Sequence, residues 1–279
     1  LGSIYDEPFA DSSQIPTFLV AQIARKQVTV SLSGDAGDEL FGGYNRYKLA
    51  DLWRRISRVP FSARRSTGRL IKKIKVSTWR NIFGRLNRII SLPPNLDEKL
   101  EKLSTRLENV DGVEALYLSL VSGIPDVKPA VLNAREPETW LMEEGVKIKF
   151  PDPKLQMMYL DAMTYLPDDI LVKLDRAAMS HSLETRVPFL DHRVIALAWS
   201  LPLAMKIHDG RSKWILRQLL YKYVPAKLIE RPKMGFGIPV GEWIRQELKG
   251  WAEALLDESR LRQEGFFDPQ FIRLRWQEH

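Results

Sequence analysis

The stretch SLSGDAGDELFGGYNRY, residues 31–47, decides how the fold is read. It sets four glycines, two aspartates and a glutamate within 17 residues. Immediately before it, VTVSLS (28–33) is short and β-branched, the pattern of a buried strand. Glycine and aspartate end that strand. Glycine tolerates positive φ and close backbone approach, so amide groups at such a turn can cradle an anion. Upstream, IPTFLVAQIARK (15–26) spaces its apolar residues as a helix does, with Ser12 and Ser13 available to cap its start. Downstream, DELFGGYNRYKLADLWRRI resumes a helical pattern that the glycine pair should interrupt. Helix, strand, tight turn, helix is the order of a parallel α/β sheet. Ligands of such sheets sit at the carboxyl ends of the strands, where this turn lies.

Asp35, Asp38 and Glu39 crowd the turn. Carboxylates beside a phosphate repel it unless a cation intervenes, and Mg²⁺ takes one or two carboxylates together with phosphate oxygens. The residues alone leave two readings open. One is a site for a Mg-nucleotide or Mg-pyrophosphate. The other is an acidic turn whose Asp38 and Glu39 favour the dipole of the following helix.

Length and composition narrow the class. The 279 residues suffice for one large domain or two small ones, and 44% hydrophobic content can fill a core. The chain has no cysteine, which excludes disulfides, thiolate metal sites and a cysteine nucleophile within it. That composition fits a reducing compartment, and a cytoplasmic location is expected. No apolar run approaches the ~18 residues of a membrane span. The opening LGSIYDEPF lacks the basic and apolar parts of a signal peptide and has no initiator Met, so further sequence is expected upstream. The net charge of +7 is uneven: residues 46–88 carry 14 Lys or Arg against Asp51 alone, a local +13 that leaves −6 elsewhere. A basic run can meet nucleic acid or phosphate, but without an aromatic platform it reads first as a solvated helical face.

Along the rest of the chain, residues 54–88 read as basic helices broken at Pro60, with weak order. Residues 92–95 read as a loop, and 96–107 and 113–122 as helices. Residues 124–153 hold five prolines and read as irregular in places. A helix over 156–178 should break near Pro167. DHRVIALAWSL, SKWILRQLLYKYV and VGEWIRQELKGWAEALLD are three more helix candidates. No convincing second strand follows the first, and one or two strands do not stand alone as a sheet, which again suggests sequence upstream. In LPDDILVKLDRAAMSHSLETRVPFLDHRV (166–194), helical spacing brings Asp168, Lys173 and Asp175 near one another, with Arg176; a salt-bridged helix pair explains the same residues. Lys213 and Lys233 lie in or beside glycine-containing turns, where a lysine can meet phosphate as a point charge, or serve as an ordinary surface lysine.

Three segments together are more specific. LSGDAGDELFGGYNRY, LDRAAMSHSLETRVPFLD and RPKMGFGIPVGEW strongly resemble the synthetase domain of glutamine-dependent asparagine synthetases, as does DEPFADSSQIPTFLVAQIA upstream. The resemblance runs roughly over residues 5–256. It implies an α/β fold with mostly helical content, the C-terminal part of a PP-loop ATPase domain. Residues 1–47 would be the remnant of the nucleotide-binding sheet and 48–279 the mainly helical part. It implies ATP and Mg²⁺ as cofactors: the aspartate side chain is adenylated, pyrophosphate leaves, and ammonia displaces AMP to give asparagine. Asp38 would be a Mg²⁺ ligand. Asp35 would lie near the acyl-adenylate and position or deprotonate ammonia. Ser33 and Gly34 would contact nucleotide or substrate, Lys233 and Lys213 would meet phosphate, and Asp175 and Arg176 would line or brace the pocket. Glu184 and Arg186 would stand behind them.

The sequence departs from the family in two ways. The Ser-Gly-Gly-x-Asp-Ser pyrophosphate loop of an earlier strand is absent, and so is the N-terminal glutaminase domain with its leading cysteine. This piece by itself is therefore expected to be inactive, and to lack glutaminase activity. Small-molecule substrates are the implied partners: aspartate, ATP, and ammonia or glutamine. A homodimer is compatible with the resemblance, whereas neither a membrane nor nucleic acid is an expected partner. Relatives of this architecture act on other carboxylates, closing β-lactam rings or amidating sugars and peptides. A basic nucleic-acid-binding protein and a non-catalytic scaffold are the remaining alternatives.

Overall fold

The computed structural model describes residues 2–74, 78–79, 96–122, 129–135, 139–143, 148–230 and 237–279. Among these the sheet has two parallel strands, β1 Val30–Leu32 and β2 Glu184–Arg186, with Val30 opposite Glu184 and Leu32 opposite Arg186. The ladder continues past both ends: Glu184 donates to the Thr29 carbonyl at 3.0 Å and Ser33 donates to the Arg186 carbonyl at 2.8 Å. β2 corrects the expectation of a single strand. Its Glu-Thr-Arg sequence has no apolar alternation, so its pairing with β1 makes it a strand where local propensity would not. β1 is also not the buried strand expected: Leu32 is 74% exposed, and this short strand pairs on one side only among the described residues.

The chain divides into two compact units. The first comprises Leu1–Gly43, Ile124–Lys147 and Asp161–His279. In it the helix Gln14–Arg25 packs on the helix Val172–Met179, with small Ala21 and Ala178 buried beside Leu183. Ser13 occupies the cap position of the first helix, but its side chain does not cap the backbone. Asp11 organises the turn instead, accepting from the Ser13 amide and hydroxyl at 2.8 Å each. Pro167 does not break the following helical run as expected. It lies inside a π-helix, Asp161–Leu171, whose wider turns accommodate a residue that lacks an amide and crowds the preceding carbonyl. The segment VGEWIRQELKGWAEALLD forms two helices, Val240–Arg245 and Lys249–Leu255, because Gln246 leaves helical geometry at φ −117°, ψ −97°.

The second unit comprises Tyr44–Gly123 and Ile148–Leu160. Its described helices are Arg46–Ile56, Phe61–Lys73, Leu96–Asn109, Val113–Val121 and Pro153–Leu160. Tyr47, Tyr117, Met157 and Met158 are fully buried. The helix Phe61–Lys73 approaches Leu96–Asn109 so closely that a Cβ on Gly68 would stand 2.7 Å from the Ser104 carbonyl oxygen. Residues 54–73, where weak order was expected, include the end of one helix and all of the next; residues 75–77 and 80–88 lie outside the described residues. No helix among the described residues is long and apolar enough to cross a membrane.

Lys206, in the first unit, ends the helix Leu203–Lys206 fully buried. Its Nζ has no hydrogen-bond partner among the described residues and lies 4.7 Å from the centre of the Trp199 ring. Burial lowers this amine from its usual 10.5 to about 8. Between those two pH values the unfolded chain holds a proton that the folded chain has released, so this group makes stability rise with pH across the interval. Lys206→Met is expected to remove that rise and to stabilise the chain at pH 7 by about 1 kcal/mol, since a buried ion often yields to an apolar residue of similar size. Urea titrations of parent and variant at pH 7 and pH 10 check both effects. An unchanged pH difference between the two proteins would contradict them.

Candidate active site

β1 delivers Ser33 to a turn that needs a left-handed residue, and Ala36 supplies it at φ 64°. A side-chain-bearing residue in that region is uncommon, and its strain must be held by the surroundings. Those surroundings are apolar. Ala36, Leu40, Phe41, Leu166 and Ala198 form one buried cluster, with Phe189 and Trp199 packed against it. The turn leads into the short helix Gly37–Phe41, which ends at left-handed Gly42, φ 70°. Leu40 and Phe41 hold this helix in the core, which leaves Asp38 on the side facing Lys213.

Lys213 arrives from far along the chain. It precedes the helix Trp214–Leu220 and is itself left-handed, at φ 54°. Its amide donates to the Phe41 carbonyl at 3.1 Å, and its Nζ stands 3.1 Å from Asp38 Oδ1. Gly43 closes this corner. A Cβ there would fall 1.7 Å from Asp38 Oδ1 and 2.5 Å from Lys213 Cε. Any side chain there would have to displace these two groups, whereas in the sequence the pair Gly42–Gly43 reads only as a helix interruption.

The remaining residues of the turn are also placed. The Ser33 hydroxyl donates to Asp35 Oδ2, and the Asp35 amide donates back to Ser33 Oγ at 3.3 Å. Gly34 is exposed, and its carbonyl accepts from the Gly37 amide at 3.4 Å. β1, the turn and the start of the helix Trp214–Leu220 thus bring Ser33, Asp35, Asp38 and Lys213 into one region. Lys233 lies outside the described residues. Asp175 and Arg176 are exposed on the helix Val172–Met179, and Arg176 pairs with Asp6 at 2.5 Å. Arg186 pairs with Glu184 at 2.7 Å on β2, and its carbonyl accepts from the Ser33 amide at 2.8 Å.

Among the described residues the ion pairs of Lys173 go to acids other than Asp168 and Asp175, which helical spacing set near it. Lys173 Nζ lies 2.5 Å from Asp11 and 3.6 Å from Asp169, because a spacing of four residues places Asp169 above it. Burial pushes the Asp169 carboxyl up to about 6, with Lys173 opposing and Asp11 reinforcing the shift. Asp11 and Asp169 are the acids that the sequence reading missed. The i, i+4 step from Asp169 to Lys173 was the available signal for one of them; nothing in the sequence pointed to Asp11.

Among the described residues no three His, Cys, Asp or Glu side chains form a ready cation cage. The donors nonetheless suit Mg²⁺: hard carboxylate oxygens at a glycine-bearing turn, few enough that phosphate and water oxygens would complete the shell. Beside Lys213 opens a cavity of about 460 Å³, lined by Phe189, Leu216, Arg217, Leu220 and Ile229 among others.

The asparagine synthase family model matches residues 1–279. A Mycobacterium tuberculosis protein named for glutamine-hydrolysing asparagine synthetase is 36% identical over 263 residues, covering 91% of this chain and 37% of its own length. Glutamine-hydrolysing asparagine synthetase 1 of Bacillus subtilis is 30% identical over 256 residues, covering 92% of this chain and 38% of its own. The chain thus spans a little over a third of the length of these relatives. No solved structure gives a significant match.

Proposed function

The chain belongs to the asparagine synthase family, which makes it part of an amidotransferase-type ligase, and from that premise we propose that it carries residues of the carboxylate-adenylating site. In this reading the complete protein adenylates the aspartate side chain with ATP and transfers ammonia, drawn from glutamine by a glutaminase domain outside this sequence. The products are asparagine, AMP and pyrophosphate, and the location is the cytoplasm.

The Asp38–Lys213 pair at the carboxyl end of β1 carries the reading. Both substrates are anions, so their approach needs positive charge that is fixed in advance. Lys213 is locked by its backbone bond to Phe41 and offers one such charge. Asp38 would hold Mg²⁺, which screens the triphosphate and stabilises the departing pyrophosphate. A carboxylate oxygen of aspartate attacks the α-phosphorus, and the bond to pyrophosphate breaks. The ammonia nitrogen then attacks the acyl carbon, and AMP leaves with the oxygen that linked them. Asp35, oriented by the Ser33 hydroxyl, accepts a proton from that nitrogen. Ser33 and Gly34 line the nucleotide side of the turn. Lys233 would meet pyrophosphate, and Arg176, tied to Asp6, braces the surroundings.

The test is product analysis with the complete protein, Mg-ATP and ammonia, with and without aspartate. The reading requires aspartate-dependent release of AMP and pyrophosphate with equimolar asparagine. ATP turnover indifferent to aspartate would overturn the choice of acceptor. The largely apolar cavity beside Lys213 favours, as the second reading, a carboxylate with a larger apolar body. A panel of such carboxylates in the same assay separates the two.

Gly43→Ala gives a local check. The added methyl must push the Asp38 carboxylate and Lys213 apart, and both can move at their ends. Catalysis is expected to fall at least ~100-fold, because displacements near 1 Å are costly to positioned groups. The thermal midpoint should move by only a few degrees. Near-parental turnover would mean that the pair does not need this spacing.

A further inference from the structure

Lys213 carries its side chain on a left-handed backbone, at φ 54°, so its surroundings must hold it there. Just upstream the chain reverses at Asp209 and Gly210, both left-handed at φ 47° and 73°. The residues flanking this two-residue turn exchange backbone bonds: the His208 amide donates to the Arg211 carbonyl at 3.0 Å, and the Arg211 amide to the His208 carbonyl at 2.8 Å. The His208 ring then stacks on Trp214, the residue after Lys213, with ring centres 4.8 Å apart.

Arg217 completes the hold. Its Nε donates to the Ser212 carbonyl at 2.9 Å. That carbonyl and the Lys213 amide are two ends of one peptide group, which is planar. The N–H end donates to the Phe41 carbonyl at 3.1 Å, and the oxygen end accepts from Arg217. Fixing both ends fixes the plane. The plane in turn sets the direction in which the Lys213 side chain leaves the backbone toward Asp38.

Arg217 is itself anchored. Its Nη1 donates to Glu230 Oε1 at 2.8 Å, and the Tyr221 hydroxyl donates to the same oxygen. These bonds, led by that from Tyr221, hold the Glu230 carboxyl below the usual carboxylate range, so it remains an anion at neutral pH. Glu230 follows the helix Ala226–Ile229, where its amide donates to the Ala226 carbonyl at 2.8 Å. The planar guanidinium thus spans from one helix end to the peptide before Lys213, a reach that a single ammonium does not reproduce.

We propose that Arg217, anchored by Glu230, is a positioning residue for adenylation: it fixes the Ser212–Lys213 peptide and so aims the Lys213 ammonium at the turn that carries Asp38. The inference rests on Lys213 belonging to the adenylating site, and a double-mutant cycle lets the two fail separately.

Lys213→Ala, Arg217→Lys and the double variant are compared in the complete protein by kcat for aspartate-dependent pyrophosphate release from Mg-ATP. Lys213→Ala should lower kcat at least ~100-fold and Arg217→Lys ~10-fold. Added to Lys213→Ala, Arg217→Lys should cost less than about two-fold more, because a residue that acts through Lys213 then has nothing to aim. Lost folding would lower both backgrounds equally. Glu230→Gln, which leaves Arg217 in place, should cost about three-fold and likewise lose its effect in the Lys213→Ala background. Thermal midpoints should stay within a few degrees of the parent. A loss from Arg217→Lys that persists in full without Lys213 overturns the inference and leaves the site reading standing, since Arg217 would then act on substrate or on the fold directly. Parental activity in Arg217→Lys beside a large loss in Lys213→Ala overturns it as well. Parental activity in Lys213→Ala removes Lys213 from the site and overturns both.

Discussion

Asp38→Asn in the complete protein is expected to reduce aspartate-dependent pyrophosphate release by ~10²–10³-fold, the usual cost of removing a charge-organising group from a preorganised site. Asparagine keeps the shape of the side chain, so the clearance beside Gly43 and the core around Leu40 and Phe41 are unaffected. Only the charge is lost, with two consequences. Lys213, held 3.1 Å from Oδ1 in the parent, loses its counter-charge. The turn also loses a hard anionic oxygen for Mg²⁺, so the Mg²⁺ concentration for half-maximal rate should rise. Steady-state rates across a Mg²⁺ titration check both, and thermal melting checks the fold. A variant with near-parental rate and unchanged Mg²⁺ dependence would remove Asp38 from the metal role.

Arg64→Ala is expected to cost about 3 kcal/mol or more in the second unit. The side chain is buried, and it satisfies two backbone carbonyls that belong to different elements. Truncation leaves the Val59 and Val110 oxygens unpaired and opens a void between the Trp53 and Phe61 rings. Arg64→Lys should recover only part of the loss, because an ammonium cannot reproduce the planar fork that reaches both carbonyls. Urea unfolding followed by tryptophan fluorescence measures the difference. A loss below about 1 kcal/mol would mean that the turn between the helices Arg46–Ile56 and Phe61–Lys73 is held by packing alone.

What was legible in the sequence was whatever local chemistry dictates. The strand, glycine–aspartate turn and following helix lie where VTVSLSGDAGDEL places them, because β-branching, glycine and acidic first-turn residues each act within a few positions. β2 was not legible: Glu-Thr-Arg becomes a strand through its pairing with Val30–Leu32, a partner more than a hundred residues away. Pro167 was misread because a proline rule written for α-helices does not anticipate π turns. At the site, the types of Asp35, Asp38 and Lys213 were visible, and the distance between Asp38 and Lys213 was not. Gly43 shows the same limit. Its role is clearance from two side chains, and only a folded backbone shows which side chains those are.

The most direct test of the account is an oxygen-transfer experiment on the complete protein with Mg-ATP, ammonia and aspartate labelled with ¹⁸O in its side-chain carboxylate. Adenylation at the turn that holds Asp38 predicts one labelled oxygen in AMP and none in pyrophosphate, since AMP departs with the oxygen that attacked the α-phosphorus. Label in inorganic phosphate with ADP as the nucleotide product, or unlabelled AMP, would contradict a carboxylate-adenylating site.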